Sequence, residues 1–202
     1  MMPVEEAIDL DAPARRPSVI RTRYGTVRGL VRLLLSYPQT AARRAHNRVP
    51  EPGSVRRLVF VCQGNICRSA FADVLTRDLG YDSISFGLST DAGKPAHPPA
   101  MAAAADFGVD LSGHATTRME DYTPRSGDFL LAMEVRQLAR IAADPRLAGL
   151  PRSLLGLWSR PVRPHLHDPF GLDDSYMRTC MGTIRIAVAN LVKAYPETKL
   201  SQ

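Results

Sequence analysis

The residues best suited to chemistry are a cysteine, Cys62, and an Arg-Ser pair, Arg68-Ser69, that begins six positions later. A cysteine thiolate is a strong nucleophile, and an arginine can offer two parallel N–H groups to one phosphate, which a lysine cannot do. Between them lie Gln63, Gly64, Asn65, Ile66 and Cys67. This spacing predicts attack by the cysteine on a phosphorus atom whose oxygens are held by the arginine and by backbone N–H groups.

The segments on either side of this loop would position it. Leu58–Val61 is apolar and rich in β-branched and aromatic residues, which predicts a buried parallel strand, and the alanine-rich segment Ala70–Leu75 predicts a helix. In a strand, loop and helix arrangement, successive N–H groups converge on one point and bind an oxyanion. The same positive focus favours the thiolate form of Cys62.

The segment Val61–Ser69 reads Val-Cys-Gln-Gly-Asn-Ile-Cys-Arg-Ser and resembles the low-molecular-weight protein tyrosine phosphatases. A bare Cys-x5-Arg spacing arises often by chance, but this longer motif directly after an apolar strand is specific. We therefore disfavour the alternative that Cys62 is a buried structural cysteine. The resemblance supports Ser69 as a hydrogen-bond donor to Cys62. Arg68 and the amides from Gln63 to Ser69 supply the positive charge, so we expect no metal and no cofactor.

A phosphate ester also needs a general acid, because its leaving group departs as an alkoxide or a phenolate. In the family this acid lies on a late loop, as Asp-Pro followed by aromatic residues. The resemblance therefore assigns the role to Asp168, which precedes Pro169 and Phe170. The other Asp-Pro pair, at Asp144, follows a predicted helix and indicates a helix stop.

Supporting residues follow from the same resemblance. Asn65 is suited to a positive φ at its place in the loop, and His114 matches a family histidine that hydrogen-bonds this asparagine. The alternative for His114 is a solvated surface group. In the family, paired tyrosines commonly follow the Asp-Pro of the general acid, and Phe170 stands in the place of one of them. One wall of the pocket is therefore expected to be thin unless Trp158 supplies it.

Cys67 has two interpretations. It is either a small packing residue at the start of the helix or a redox partner of Cys62, since five positions around a tight loop allow a disulfide. In the family this pairing protects the nucleophile from irreversible oxidation. Cys180, on the last predicted helix, is most simply a core residue.

Three other functions compete with hydrolysis of phosphotyrosine. Arsenate reductases of this fold relay a disulfide through two further cysteines, whereas only Cys180 remains beyond Cys62 and Cys67. A phosphotyrosine-binding adaptor without turnover would not need Cys62, Arg68 and Asp168 together. The phosphoarginine branch carries threonine where this chain has Ile66. The short loop Ser89–Ala92 resembles bacterial members paired with tyrosine kinases of exopolysaccharide export, which implies a phosphotyrosyl protein substrate and a bacterial tyrosine kinase as partner.

Charge is unevenly distributed along the 202 residues, whose net charge is +6. Residues 1–56 contain ten arginines and five acids, whereas residues 57–202 contain sixteen lysines and arginines and fifteen acids. A nearly neutral main domain argues against nucleic-acid binding, which needs a basic face. With three cysteines, no signal peptide and no long apolar run, we expect a cytoplasmic protein.

Residues 1–54 are predicted to be a basic extension, with residues 1–18 disordered and Pro50–Ser54 as a linker. Between Val19 and Arg48 there are seven arginines and no acid. This segment predicts one amphipathic helix, ended by Pro38, that either lies on an anionic membrane or a partner or packs on its own domain. Its apolar face comprises Ile20, Tyr24, Val27, Val31, Leu34 and Leu35.

Residues 55–202 are predicted to form the catalytic domain. Apolar segments and helical patterns alternate along it, which predicts an α/β fold: a doubly wound, four-stranded parallel sheet with helices on both faces. Ligands of such sheets bind beyond the carboxyl ends of the strands, where Cys62 would lie. The predicted strands are Arg56–Val61, Ser83–Phe86, Phe129–Met133 and Leu154-Leu155.

Overall fold

A computed structural model describes residues 18–42 and 46–200 of the chain. Its centre is a parallel sheet with the strand order β2-β1-β3-β4, which confirms the predicted fold class. The strands are β1 (Arg57–Cys62), β2 (Ser83–Gly87), β3 (Asp128–Ala132) and β4 (Arg152–Leu154). The fourth strand lies slightly earlier than predicted, because Leu155 already begins a short 3₁₀ helix that runs to Trp158.

Helices cover both faces of the sheet. In the catalytic part they are α3 (Arg68–Asp78), α4 (Pro98–Ala105), α5 (Val135–Ala143) and α6 (Asp174–Ala194). Helices α3, α4 and α6 pack on the face that carries Leu58, Phe60 and Phe129. Helix α5 packs on the opposite face, against Val59 and Leu130. Burial of these apolar side chains from both sides makes the strands continuous hydrophobic runs, as expected of a parallel sheet.

The strand order creates a crevice at the carboxyl ends of β1 and β3. The chain leaves β1 toward β2 on one side, and β3 lies on the other side of β1. Because the connections diverge here, the ends of these two strands leave room for a ligand. Cys62 ends β1, and Glu134 stands just before α5 after β3.

The N-terminal extension contains two helices, α1 (Val19–Tyr24) and α2 (Val27–Ala42), so the prediction of one helix was wrong. Gly25 separates them with a φ of 74°, a left-handed conformation that glycine adopts without steric cost and that commonly ends a helix. Thr26 then caps α2, since its hydroxyl accepts a hydrogen bond from the N–H of Gly29 at 2.8 Å. The predicted disorder of residues 1–18 falls almost entirely outside the described residues.

Pro38 lies inside α2 and does not end it, contrary to our expectation. The proline removes the donor that would bond the carbonyl of Leu34, but both residues are exposed to water. Leu33 and Ser36 are buried, and α2 packs against α5. Tertiary packing on both sides of the proline therefore overrides its low helix propensity.

The extension packs on the catalytic domain through one face of α2, and most of the apolar residues predicted to share a face lie on the opposite side of that helix. Gly29, Leu33 and Ser36 are the buried residues of α2. The opposite side, which we call the outer face, is exposed and consists of Val27, Val31, Leu34 and Leu35, with exposed fractions of 47–63%. Small residues allow the backbone of α2 to approach the domain closely, so the apolar stripe stays in solvent.

The start of the predicted linker and the residues just before it are also in contact with the domain. Arg48 pairs with Arg152 of β4 in an antiparallel bridge, with N···O distances of 2.7 and 3.0 Å. The hydroxyl of Tyr195 donates to the carbonyl of Pro50 at 3.2 Å. Residues 48 and 50 are thus fixed to the edge of the sheet and to the end of α6.

Candidate active site

Cys62 is a free, buried thiol surrounded by hydrogen-bond donors. The N–H of Asn65 donates to its Sγ at 3.2 Å, and Ser69 Oγ lies 3.0 Å from the same sulfur. Asn65 belongs to the loop between β1 and α3, and Ser69 lies in the first turn of α3. Two donors on one sulfur stabilise its negative charge.

The direction of the Ser69 hydrogen bond follows from the residues behind it. The amide of Asn65 donates through Nδ2 to Ser69 Oγ and to Ser85 Oγ, both at 2.9 Å. Ser85 in turn donates to the buried carboxylate of Asp73 at 3.0 Å. Because Ser69 Oγ already accepts a proton from Asn65, its own hydroxyl proton is available to Cys62. The network therefore directs a hydrogen-bond donor at the sulfur of Cys62.

Asn65 has a φ of 55°, as its place in the loop predicted. Its side-chain Oδ1 accepts from the N–H of Thr117 at 2.9 Å, and its carbonyl lies 2.7 Å from His114 Nε2. A carbonyl can only accept, so His114 carries its proton on Nε2. Burial lowers the pKa of His114, which keeps the ring neutral at pH 7. His114 is therefore a buried support of the loop and not the solvated group of the alternative interpretation.

Arg68 is fully buried and is held from two sides. Its NH1 donates to Glu134 Oε1 and to the carbonyl of Leu166, both at 2.8 Å, and its NH2 lies 2.6 Å from Asp168 Oδ2. Burial opposes its charge, but Asp168, Cys62 and Glu134 outweigh this effect and keep the pKa of Arg68 above its usual value. Within the described part of the chain, no acceptor bonds the buried Nε. The Nε and NH2 edge is therefore suited to bidentate phosphate binding.

Glu134 orients Arg68, and sequence reasoning missed it. Burial would raise the pKa of Glu134, but the guanidinium groups of Arg68 and Arg136 lower it to about 2. It therefore stays ionised at neutral pH and holds the NH1 edge of Arg68, which leaves the opposite edge for the ligand. The only available signal was its position after the strand next to β1.

Asp168 and Phe170 lie on a loop that we call the acid loop, residues 162–172. Together with Cys62 and Arg68 they line one cavity of about 200 Å³, whose other lining residues are Gln63, Gly64, Ile66 and Cys67. The side chain of Asp168 is one-third exposed, so solvent reaches the carboxyl group. All residues predicted to react or to contact phosphate except the two network members, Asn65 and Ser69, thus border this cavity.

The wall of the cavity differs from our expectation. Phe170 packs on the ring of His97, with ring centroids 4.8 Å apart. Trp158 packs instead against Phe129 and Tyr195 in the core, so it does not supply the missing wall. The backbone N–H of His97 donates to the carbonyl of Ile66 at 2.9 Å, which connects this aromatic pair to the loop between β1 and α3.

Cys67 and Cys180 are both free and buried. Burial, with a smaller effect of Cys62, raises the pKa of the Cys67 thiol well above its usual value. Burial raises the pKa of Cys180 to about 12. Cys67 lines the cavity with Cys62, whereas Cys180 lies on α6 among the apolar core residues.

An open cleft of about 620 Å³ adjoins this cavity, and Gly64 and Ile66 line both. The short loop predicted from the sequence forms part of its wall through Ser89, Thr90 and Asp91. Three basic side chains, Lys94, Arg118 and Arg140, and two acidic ones, Asp91 and Glu120, also line it. A polar cleft beside the catalytic cavity can hold the protein chain that flanks a phosphorylated residue.

Two known proteins are similar to this chain in sequence. EpsP of Ralstonia solanacearum, a probable low molecular weight protein-tyrosine-phosphatase, is 34% identical over 91 residues, which are 44% of this chain and 63% of EpsP. Etp of Escherichia coli K12, a low molecular weight protein-tyrosine-phosphatase, is 34% identical over 116 residues, which are 56% of this chain and 76% of Etp. The match to EpsP spans less than two thirds of that relative.

The fold agrees with a solved structure. The tyrosine phosphatase Wzb from Escherichia coli K30, in complex with sulphate, superposes with a TM-score of 0.60 at 26% identity over 69% of this chain and 97% of Wzb. A family model described as low molecular weight phosphotyrosine protein phosphatase matches residues 57–200. This range is more than half of the chain and contains the whole sheet and the cavity. The chain therefore belongs to the low molecular weight phosphotyrosine protein phosphatase family.

Proposed function

We propose that this protein hydrolyses phosphotyrosine in proteins through a cysteinyl-phosphate intermediate. The observation that carries the proposal is the meeting of Cys62, Arg68 and Asp168 in one cavity. A nucleophile, a phosphate-binding cation and an acid are the three functions that the reaction requires. All three side chains lie within the segment that the family model matches.

The first step transfers the phosphoryl group to the enzyme. The thiolate of Cys62 attacks phosphorus while the bond to the tyrosine oxygen breaks in line. Arg68 stabilises the charge on the equatorial oxygens through its Nε and NH2 edge, and the backbone N–H groups of residues 63–69 do the same. Ser69 Oγ lies 3.0 Å from the sulfur, where its hydroxyl can donate a hydrogen bond to the attacking thiolate.

Asp168 changes partners during this step. It pairs with NH2 of Arg68, and a phosphate dianion competes for the same nitrogen. The arriving substrate therefore displaces the carboxylate from Arg68 toward the ester oxygen. There the partly exposed carboxylate takes up a proton from solvent and donates it to the ester oxygen as the phenol leaves. In the second step the same carboxylate accepts a proton from the water that attacks phosphorus. Inorganic phosphate leaves, and the thiolate of Cys62 is restored.

The competing functions find less support. Disulfide relay in an arsenate reductase needs accessible thiols, and Cys180 is buried in the core. A binding adaptor has no use for a proton donor such as Asp168. Ile66 lines the cavity entrance and the adjoining cleft with an apolar side chain, which suits an aromatic ring better than a guanidinium group.

The substrate that fits this site is a phosphotyrosyl protein. The open cleft beside the cavity carries basic and acidic side chains, which can contact the protein chain on either side of the phosphotyrosine. Two relatives, each 34% identical to this chain over the matched residues, carry the same substrate class in their names: EpsP, a probable protein-tyrosine-phosphatase, and Etp, a protein-tyrosine-phosphatase. We propose a bacterial tyrosine kinase as the partner that supplies the substrate. Because the reaction needs a reduced Cys62, we place it in the cytoplasm.

Hydrolysis of p-nitrophenyl phosphate and of a phosphotyrosyl peptide tests the proposal. We expect vanadate to inhibit both reactions, and Cys62→Ser to abolish turnover while the folded structure remains. Arg68→Lys is expected to be almost as damaging, because a point charge cannot replace the planar fork. Substantial turnover by Cys62→Ser would rule out the covalent mechanism, and release of phosphate from phosphoarginine alone would assign the other substrate class.

A second proposal concerns location. The outer face of α2 combines four exposed apolar residues with Arg28, and the stretch from Val19 to Arg48 contains no acidic residue. Among the described residues, no helix is long and apolar enough to cross a membrane. We propose that the outer face lies on an anionic membrane surface, where each basic residue contributes about 1 kcal/mol.

Co-sedimentation with vesicles tests this location. We expect the full chain to bind vesicles that contain acidic phospholipids and to dissociate from them at high salt. It should not bind neutral vesicles. Leu34→Asp is expected to weaken binding, whereas Leu79→Asp, at another exposed leucine on the catalytic domain, is not. If Leu34→Asp instead disrupts a dimer in the absence of lipid, a second copy of the chain covers the outer face and the membrane proposal is wrong.

A further inference from the structure

The acid loop is in contact with the N-terminal helices along much of its length. Thr26 Oγ1 lies 3.2 Å from His167 Nε2, and the hydroxyl of Tyr37 donates to the carbonyl of Val162 at 2.7 Å. Arg163 donates to the carbonyl of Arg23 at 3.1 Å. These contacts join residues that are more than one hundred positions apart in the sequence. The extension therefore supports the segment that carries Asp168.

The contact at His167 is the closest to the chemistry, because Asp168 is the next residue. Thr26 Oγ1 accepts from the N–H of Gly29 and bonds the imidazole as well, so the cap of α2 and the acid loop share one hydroxyl. Burial lowers the pKa of His167, which keeps the ring neutral at pH 7. A Cβ at Gly29 would lie 2.7 Å from the His167 ring, so the helix backbone lies directly against it.

The backbone of His167 is held from the other side. The hydroxyl of Tyr176, on α6, donates to the carbonyl of His167 at 3.3 Å. The turn between α1 and α2 lies against the same tyrosine, since a Cβ at Gly25 would meet its ring at 2.8 Å. The ring of His167 is thus held by α2 and its carbonyl by α6, which restricts the position of the following residue.

We infer that the N-terminal helices position the general acid, with Thr26 as the positioning residue that acts through His167. This inference rests on the proposed function, in which Asp168 protonates the leaving group. The family model begins at residue 57, so the support comes from a segment outside the matched domain. Misplacement of a catalytic group by about 1 Å is enough to reduce the rate strongly.

The dependence of rate on the leaving group tests the inference. Thr26→Val keeps the size of the side chain and removes the hydroxyl. We expect it to lower kcat/KM for phenyl phosphate about tenfold, a part of the 10²–10⁴-fold that general acids contribute, and to leave kcat/KM for p-nitrophenyl phosphate within about twofold. The ratio kcat/KM reports the step in which the phenol leaves and excludes the hydrolysis of the intermediate, which is common to both substrates. Thr26→Ser is expected to restore the rate. Val31→Thr, an equivalent exchange on the outer face of the same helix, is the control and should change neither rate.

A double-mutant cycle connects the effect to Asp168. In an Asp168→Asn background we expect Thr26→Val to have no further effect on phenyl phosphate, because the group that it positions is already lost. Additive losses in the double variant would overturn the inference. A loss that is equal for both substrates, or that appears only as a lower thermal midpoint, would also overturn it.

The same data separate this inference from the proposed function. If Asp168→Asn slows phenyl phosphate far more than p-nitrophenyl phosphate while Thr26→Val does not, the acid is correct and the positioning role is wrong. If Asp168→Asn slows both equally, the general-acid assignment itself is wrong.

Discussion

The proposed nucleophile, Cys62, stands at the end of a line of hydrogen-bonded side chains. Asp73 accepts from Ser85, the amide of Asn65 donates to both serines, and Ser69 is left with one proton for the sulfur of Cys62. Each member is buried, and Asp73 and Ser85 also line an open cavity of about 440 Å³. The buried Asp73 thus holds Ser85 and, through it, the amide of Asn65 beside the proposed nucleophile.

Oxidation distinguishes the two thiols of the cavity. Peroxide is expected to convert the Cys62 thiolate to a sulfenic acid, which the Cys67 thiol attacks to form a disulfide with loss of water. Because burial raises the pKa of Cys67, that thiol is not itself the first target. We predict that thiol reductant restores activity after mild peroxide in the native protein and does not restore it in Cys67→Ser.

Cys180→Ser is the matched control for this prediction, since it removes a buried thiol that does not line the cavity. It is expected to recover as the native protein does. Equal recovery of all three proteins would exclude a protective disulfide and would leave Cys67 as a packing residue.

At the scale of the element, the break between α1 and α2 decides how the extension meets the domain. Gly25 and Gly93 have nearly the same positive φ, 74° and 76°, but only Gly25 is surrounded. A Cβ at Gly25 would lie 2.8 Å from Leu172 and Tyr176, whereas a Cβ at Gly93 would meet nothing within 4 Å. Alanine at Gly93 should therefore cost only the backbone term, about 1 kcal/mol of unfolding free energy.

We predict that Gly25→Ala destabilises the protein by about 2–3 kcal/mol, since the steric conflict adds to the same backbone term. Denaturant unfolding of both variants measures the difference. Equal losses would show that the two helices can move away from α6 without cost, which would contradict the close packing described above.

The elements also explain which parts of the site could be predicted from the sequence. Cys62, Asn65, Arg68 and Ser69 lie within one short segment from the end of β1 to the start of α3, so their spacing determines their geometry. Glu134 accepts a hydrogen bond from Arg68, which is 66 positions away in the sequence, and no local sequence pattern predicts such a contact. The buried side of α2 was missed because a helical wheel ranks residues by hydrophobicity, whereas Gly29 and Ser36 are buried because they are small.

At the scale of the whole molecule, buried histidines make stability depend on pH. Burial is the main cause that lowers the pKa of His165 to about 4, from an ordinary value of 6.5. His114 and His167 are shifted in the same direction. As the pH falls below 6.5 the unfolded chain binds these protons first, so stability that is fully present above pH 6.5 is lost progressively toward pH 4.

For His165 alone we predict a loss of about 3 kcal/mol of unfolding free energy between pH 7 and pH 4, at about 1.4 kcal/mol per pH unit. His165→Phe, which cannot be protonated, is expected to flatten this part of the curve. Urea unfolding at several pH values measures both proteins. An unchanged slope in the variant would mean that His165 takes up its proton in the folded protein.

Helix α2 has two sides with separate duties, and this has a consequence for how the sequence can diverge. Under the two proposals above, changes at Val27, Val31, Leu34 or Leu35 alter the surface that the helix meets, whereas changes at Thr26 act on the acid loop through the imidazole of His167. Selection could then change what the outer face binds without changing the support of the acid loop.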